Sequence, residues 1–294
     1  NGSVLDDGTL FKFDVDDFRI CCQERNLPWL IDTSLGFDVK IIEETEDIAG
    51  LSIQGPTSAS VLIKAGYNLI EKLKPFEMIE TQDELLISRT GFTGDLGYEI
   101  FLPNKLAKVT WDKIWGAGEN LGIKAIGYNA LNIARIETGF IIANSDFITS
   151  EHAIRNNRIR NPDEIGMSWM VDMTKPYFNG KNALKKIRDN KASKFVFAAL
   201  EIDGKEPADG AIIYYNKKQE VGIITAATWS PTAKKSIALA SLKLPYGNEI
   251  QSNLWVEIYV LRELEYHKMM KKVFIVKPPF VKLKRRNITP PLRK

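Results

Sequence analysis

The chain has 294 residues, 44% apolar and 26% charged, with a formal net charge of +3. This composition suits one large or two to three ordinary globular domains and excludes a disordered or collagen-like chain. No apolar run approaches the length of a membrane span, and the opening NGSVLDDGTLFKF lacks a signal-like basic and apolar pair of regions, so a cytoplasmic protein with no membrane partner is expected.

Residues 4–22 alternate well enough for two strands around the turn DVDD. The only cysteines, Cys21 and Cys22, are adjacent in FRICCQ, which reads as two small buried strand residues and excludes a disulfide scaffold. Residues 38–54 suggest two more strands, ended by Gly55-Pro56, and TSASVLIKAGYNLIEKL then reads as a helix with Thr57 as N-cap. A short strand over 84–89 leads into SRTGFTGDLGYEIFLP, where Gly91, Gly94 and Gly97 fall three residues apart. A strand over 98–102 follows, with the carboxylate Glu99 near its start. The spacing is not that of a dinucleotide loop, and the turn opens a strand rather than a helix, so a dinucleotide fold is rejected. Asn104 caps a helix on which Ala107, Trp111, Ile114 and Trp115 share a face, with Gly122 as its stop. Another helix runs from about Tyr128 to Thr138 and ends at Gly139. From 47 to 122 the order is strand, helix, strand, strand, helix, the grammar of a ferredoxin-like split βαβ unit.

The Lys-rich segment 181–194 reads as a surface helix and linker, with a domain boundary near 192. Beyond it, Val196, Ala198, Leu200 and Ile202 share one face of a strand, and at least four more short strands follow. That pattern predicts a small β-barrel or sandwich. Ten Lys/Arg and no Asp/Glu lie between Tyr266 and Lys294, leaving residues 1–265 with 30 basic against 37 acidic side chains. The Pro-containing end KRRNITPPLRK is expected to be a frayed, solvated tail. It lacks the interleaved aromatics of a stacking platform, so no nucleic-acid partner is expected. The only histidines are His152 and His267; no Cys/His cluster has metal-ligand spacing, and no nucleophile elbow supports a Ser-His-Asp triad.

Several blocks, in order, resemble the glycine-cleavage T-protein (aminomethyltransferase) superfamily of folate-dependent one-carbon transferases. They are GSVLDDGTL, LSIQGPTSASVL, SRTGFTGDLGYEIFLP, GYNALNIARIETG, IGMSWMVDM with YFNGKNAL, GIITAATWSPTAKKSIALASL, and VKPPFV. The resemblance spans the whole chain, and the glycine signature and the SP block are specific in combination. It implies an α+β fold of three-lobed folate-binding architecture, with ferredoxin-like split βαβ lobes and a C-terminal small antiparallel β-barrel. Residues 1–46 would be the remainder of a first lobe, 47–192 the ferredoxin-like folate-binding region, and 193–294 the barrel. Because the chain begins inside the DD motif, the resemblance also implies N-terminal truncation.

By the same resemblance the cofactor is tetrahydrofolate. The partners are a small-molecule methyl or aminomethyl donor and a lipoyl carrier protein. Of the pair Asp6 and Asp7, which alternation places on opposite faces, Asp6 is favoured as the catalytic carboxylate beside folate N10. Glu99 would hold the pterin ring through its N–H donors. Tyr98 and Phe92 either supply ring contacts or pack in a core. Trp169 either lines the cleft or is a core residue. The helix 127–139 departs from the family: its Ala-Arg-Asp motif reads Ala130-Leu131-Asn132, although Arg135 remains and either partly covers the site or pairs with Glu137 or a neighbour. Gln23 likewise replaces an Asn. These changes keep three readings open besides aminomethyl transfer: a folate-dependent demethylase of a small N-, O- or S-methylated compound, the folate-binding part of a dimethylglycine or sarcosine oxidase, and a folate-binding module without transferase chemistry. The last is disfavoured because IETGFIIANSDF lacks the expected Cys.

Overall fold

The computed structural model describes residues 1–288. Strands β1 (Gly8–Lys12) and β2 (Phe18–Cys22) form an antiparallel hairpin in which Gly8 faces Cys22. Cys21 and Cys22 are both free thiols and only half-buried, not core residues. An unanticipated helix, α1 (Leu27–Ser34), follows, with a proline in its first turn. Of the two strands expected over 38–54, only β3 (Ile48–Gln54) forms. The acidic run Glu43, Glu44, Glu46, Asp47 precedes it and turns tightly, with the Asp47 N–H donating to the Glu44 carbonyl at 3.0 Å. Four carboxylates in five residues are poorly suited to a half-buried strand.

The chain packs as two units, neither continuous in sequence. One joins Asn1–Arg25 to Gly139–Phe280; the other joins Asn26–Thr138 to the described residues from Val281 onward. The N-terminal hairpin belongs to the same unit as the barrel.

In the second unit, β3 is followed by α2 (Ser58–Lys64), β4 (Met78–Glu80), β5 (Leu86–Ser88), β6 (Gly97–Pro103), α3 (Ala107–Gly118) and α4 (Tyr128–Thr138). The short β4 is one strand more than the pattern predicts. The sheet order is β3-β6-β5-β4, antiparallel throughout. Along β6 the period of two sends Tyr98, Ile100 and Leu102 into the core with Leu62, Ile70 and Ile87. Glu99 and Phe101 therefore face the other side. Each buried aliphatic side chain contributes about 1.5–3 kcal/mol to this packing.

The chain beyond Val281 is not a solvated tail as far as Ile288. The Val281 N–H donates to the Glu137 carbonyl, and the buried Arg89 donates through Nη2 to the Arg286 and Ile288 carbonyls at 3.1 and 2.7 Å. Arg285 grips Asp95 with two hydrogen bonds of 2.5 and 2.7 Å. A fork of donors matched to a carboxylate, and carbonyls matched to a buried guanidinium, outweigh the solvation that basic composition alone suggests. The rest of the expected tail, from Thr289, lies outside the described residues.

The first unit adds α5 (Lys181–Asp189) and six strands: β7 (Phe195–Ile202), β8 (Ile212–Tyr215), β9 (Gln219–Ser230), β10 (Lys235–Lys243), β11 (Leu254–Arg262) and β12 (Glu265–Val276). They close into a barrel of order β10-β7-β12-β11-β8-β9. Leu200, Ile213, Val221, Ile224, Leu254 and Val256 fill the interior. Closure pairs every strand, which removes exposed sheet edges. The expected α+β class with a small C-terminal antiparallel barrel is what forms. Among the described residues no helix is long and apolar enough to cross a membrane.

Candidate functional site

The second unit places Glu99 on the open face of its sheet, in register with Ser52 of β3 and Ser88 of β5. The Thr90 hydroxyl donates to Glu99 Oε2, and Ser88 Oγ lies 2.6 Å from Thr90 Oγ1. Thr90 thus holds the carboxylate from behind. Among the described residues Oε1 of this half-buried carboxylate accepts no hydrogen bond from the protein, so it is a free acceptor.

The glycines of the turn have a spatial cause. The Gln54 side chain lies under the turn: Nε2 donates to the Thr90 and Tyr98 carbonyls at 3.3 and 3.4 Å, and Oε1 accepts from Thr93 Oγ1 at 3.0 Å. A Cβ on Gly91 would sit 2.1 Å from Gln54 Oε1, and one on Gly97 only 1.9 Å away. Gly94 has φ +72°, and its Cβ would meet Thr138 Oγ1 at 2.0 Å. All three positions therefore exclude a side chain: Gln54 fills the space over Gly91 and Gly97, and Thr138 that over Gly94. Arg285 fixes that turn through Asp95. Gln54 and Thr90 lie inside the family-like blocks, but nothing in the sequence named their roles, and Arg285 pairs with a residue 190 positions away.

The remaining candidates divide. Tyr98 is fully buried in the hydrophobic core, on the opposite side of β6 from Glu99, so it is not placed to touch a ligand held there. Phe92 lies half-buried in the glycine turn. Arg135 is 2% exposed, and its Nε donates to Asn132 Oδ1 at 2.8 Å. Asn132, a neighbour one turn earlier on the same helix, is thus one partner of Arg135.

In the first unit, Asp6 and Asp7 precede β1 rather than lying on it, and both are half-buried. The opposite-face argument from strand alternation therefore does not apply. What separates the two is hydrogen bonding. The Asp6 carboxylate accepts main-chain N–H groups on both oxygens, from Asp7 at 2.9 Å and from Glu24 at 2.8 Å. Its orientation is therefore set by the backbone. Burial, and then the charge of Asp6, push the Asp7 carboxyl above its ordinary value of 3.8. A raised native pKa means that ionised Asp7 opposes folding once the pH exceeds 3.8. Asp7→Asn is accordingly expected to stabilise the protein at neutral pH, and the gain should vanish below pH 3.8, where both forms are neutral. Urea titrations at pH 7 and pH 3 check this; equal gains at both would contradict it.

Trp169 is 78% exposed on a short 3-10 turn (Ser168–Met170), so it is not a core residue. His152 Nδ1 lies 2.9 Å from Thr149 Oγ1. Among the described residues no group of three or more His, Cys, Asp or Glu is placed to hold a metal ion.

Comparison with known proteins adds the following. Residues 1–175 match the family model described as the GCVT N-terminal domain, and residues 195–282 match the glycine cleavage T-protein C-terminal barrel domain. The aminomethyltransferase of Thermoanaerobacter pseudethanolicus is 30% identical over 286 residues, covering 92% of this chain and 75% of that protein. The aminomethyltransferase of Chlorobaculum tepidum is 31% identical over 260 residues, covering 84% and 67%. The crystal structure of glycine cleavage system aminomethyltransferase T from Bartonella henselae matches with a TM-score of 0.80 at 22% identity, over 96% of this chain and 73% of that one.

Proposed function

Because the chain belongs to the glycine cleavage T-protein family, we propose that it is a folate-dependent aminomethyltransferase, in which Glu99 anchors the pterin and Asp6 serves the one-carbon chemistry. The observation that carries the reading is Glu99 Oε1, which accepts no hydrogen bond among the described residues while Thr90 holds the other oxygen of the carboxylate. A pterin edge offers two adjacent N–H donors, the ring N3 and the 2-amino group, and a carboxylate pairs with both at once. The residues present fit that group.

When bound, tetrahydrofolate supplies the nitrogens that take up the transferred carbon. Glu99 orients the ring by accepting its N–H donors, and Thr90 keeps the carboxylate in place. Asp6, held by two main-chain N–H groups, would be the carboxylate that accepts a proton from a folate nitrogen and offsets positive charge developing beside it. We further propose that the donor is an aminomethyl group carried on a lipoyl protein, as the family's chemistry suggests. Leu131, at the position of the family's Arg, favours a second reading, demethylation of a small methylated compound.

A donor screen separates these. The protein is incubated with tetrahydrofolate and, in turn, with an aminomethylated lipoyl carrier protein, dimethylglycine, and small O- and S-methyl compounds, and the folate product is read by mass. Methylene-folate from the lipoyl carrier alone is the expected result. Methyl-folate from a small donor would replace the aminomethyl reading, and no folate product from any donor would reject both.

A further inference from the structure

We propose that Asn144 is a positioning residue for the reaction, holding the Asp6 carboxylate through Glu24; this rests on the role assigned to Asp6 above.

Asn144 has φ +59°, a left-handed conformation uncommon for a residue with a Cβ. Its side chain is engaged at both ends. Oδ1 accepts from the Thr149 main-chain N–H at 3.2 Å and from Thr149 Oγ1 at 3.0 Å. Nδ2 donates to Glu24 Oε1 at 3.1 Å. Thr149 is fully buried, so the amide is fixed against a rigid neighbour. Glu24 in turn supplies the main-chain N–H that Asp6 Oδ2 accepts. The same loop fastens the other side of Asp6, because the Ser150 N–H donates to the Val4 carbonyl at 2.9 Å.

The geometry has a functional logic. A carboxylate at the end of one main-chain N–H is no better placed than that N–H. Glu24 follows β2 at the end of a hairpin, where backbone orientation is weakly determined locally. Tying its side chain to Asn144 converts a loop N–H into a fixed donor. A left-handed Asn is retained where its amide bridges two segments that are 120 residues apart.

The test uses steady-state kinetics with tetrahydrofolate and aminomethylated lipoyl carrier protein, reading methylene-folate by mass. Asn144→Gly keeps the left-handed backbone and deletes the amide; it is expected to lower kcat on the order of 10- to 100-fold with the KM for tetrahydrofolate unchanged. Asn144→Asp turns the donor into an acceptor facing Glu24 and is expected to lower kcat at least as far. Combining it with Glu24→Gln restores a donor–acceptor pair with the roles exchanged, and kcat should recover most of the loss. A structural role alone would move stability without that recovery. A wild-type protein with normal turnover whose Asn144→Gly variant is equally fast would overturn the proposal and leave the functional reading intact. Failure of the pair exchange to restore kcat in a protein that remains folded by circular dichroism would also overturn it. A wild-type protein that forms no methylene-folate would instead overturn the functional reading, and the positioning role with it.

Discussion

Asp6→Asn is expected to reduce turnover by roughly 10²- to 10⁴-fold, the usual contribution of a positioned general base, while leaving tetrahydrofolate binding within a few-fold of wild type. An amide keeps the shape of the carboxylate but neither accepts a proton nor carries the charge that stabilises a developing cation. One of the two N–H donors, from Asp7 or Glu24, would also face an N–H group. A measurable fall in melting temperature should therefore accompany the kinetic loss. Single-turnover kinetics with saturating folate separate the two effects. Asp7→Asn is the matched control. It deletes a carboxylate of raised pKa and is expected to keep kcat within a few-fold. A large loss in Asp7→Asn with little in Asp6→Asn would reverse the two assignments.

Glu99→Ala is expected to weaken tetrahydrofolate binding by about 1.5–3 kcal/mol, which is roughly 10- to 150-fold in Kd, because a charge-assisted pairing is lost. Stability should change little, since among the described residues one carboxylate oxygen accepts no hydrogen bond and the other accepts from Thr90. Glu99→Gln keeps one acceptor oxygen and turns the other into a donor, so it should fall between wild type and Glu99→Ala. Titration calorimetry gives all three values. Equal affinities for wild type and Glu99→Ala would remove Glu99 from the pterin site. Thr90→Val tests the support behind the carboxylate and should act in the same direction with a smaller size, because the free oxygen remains.

Much of the fold is written in local signals. The barrel strands announce themselves by alternation, as in Val196, Ala198, Leu200 and Ile202, because a half-buried strand must alternate its faces. The helices α3 and α4 follow from periodicity and their glycine stops, whereas the single helix read over 57–73 is broken at Gly66 (φ +96°) into α2 and a 3-10 turn over Asn68–Lys72. Where local signals competed, the sequence misled. Residues 38–47 look strand-like by apolar content, yet they form no strand beside the acidic run. The N-terminal hairpin, far from the barrel in sequence, packs in the barrel's unit. The basic end looked soluble by composition, yet Arg285 and the carbonyls of Arg286 and Ile288 have partners in Asp95 and Arg89.

The candidate site was legible to a similar, limited depth. Glu99 stood out because a carboxylate following a glycine-rich turn on an otherwise apolar strand calls for a reason. Tyr98 beside it could be sorted only by seeing which face β6 buries. Asn144 and Gln54 are polar residues with no periodicity to mark them.

Sequence alone determined the family blocks, the barrel pattern, and the placement of Glu99 on a strand opened by three glycines, because each depends on residues a few positions apart. Only the tertiary structure decided why those glycines are needed, which carboxylate of the Asp6–Asp7 pair is held by the backbone, and that Asn144 reaches Glu24. Those facts reside in contacts between segments 18 to 120 residues apart, and no local pattern encodes which distant donor will meet which acceptor once the apolar faces have packed.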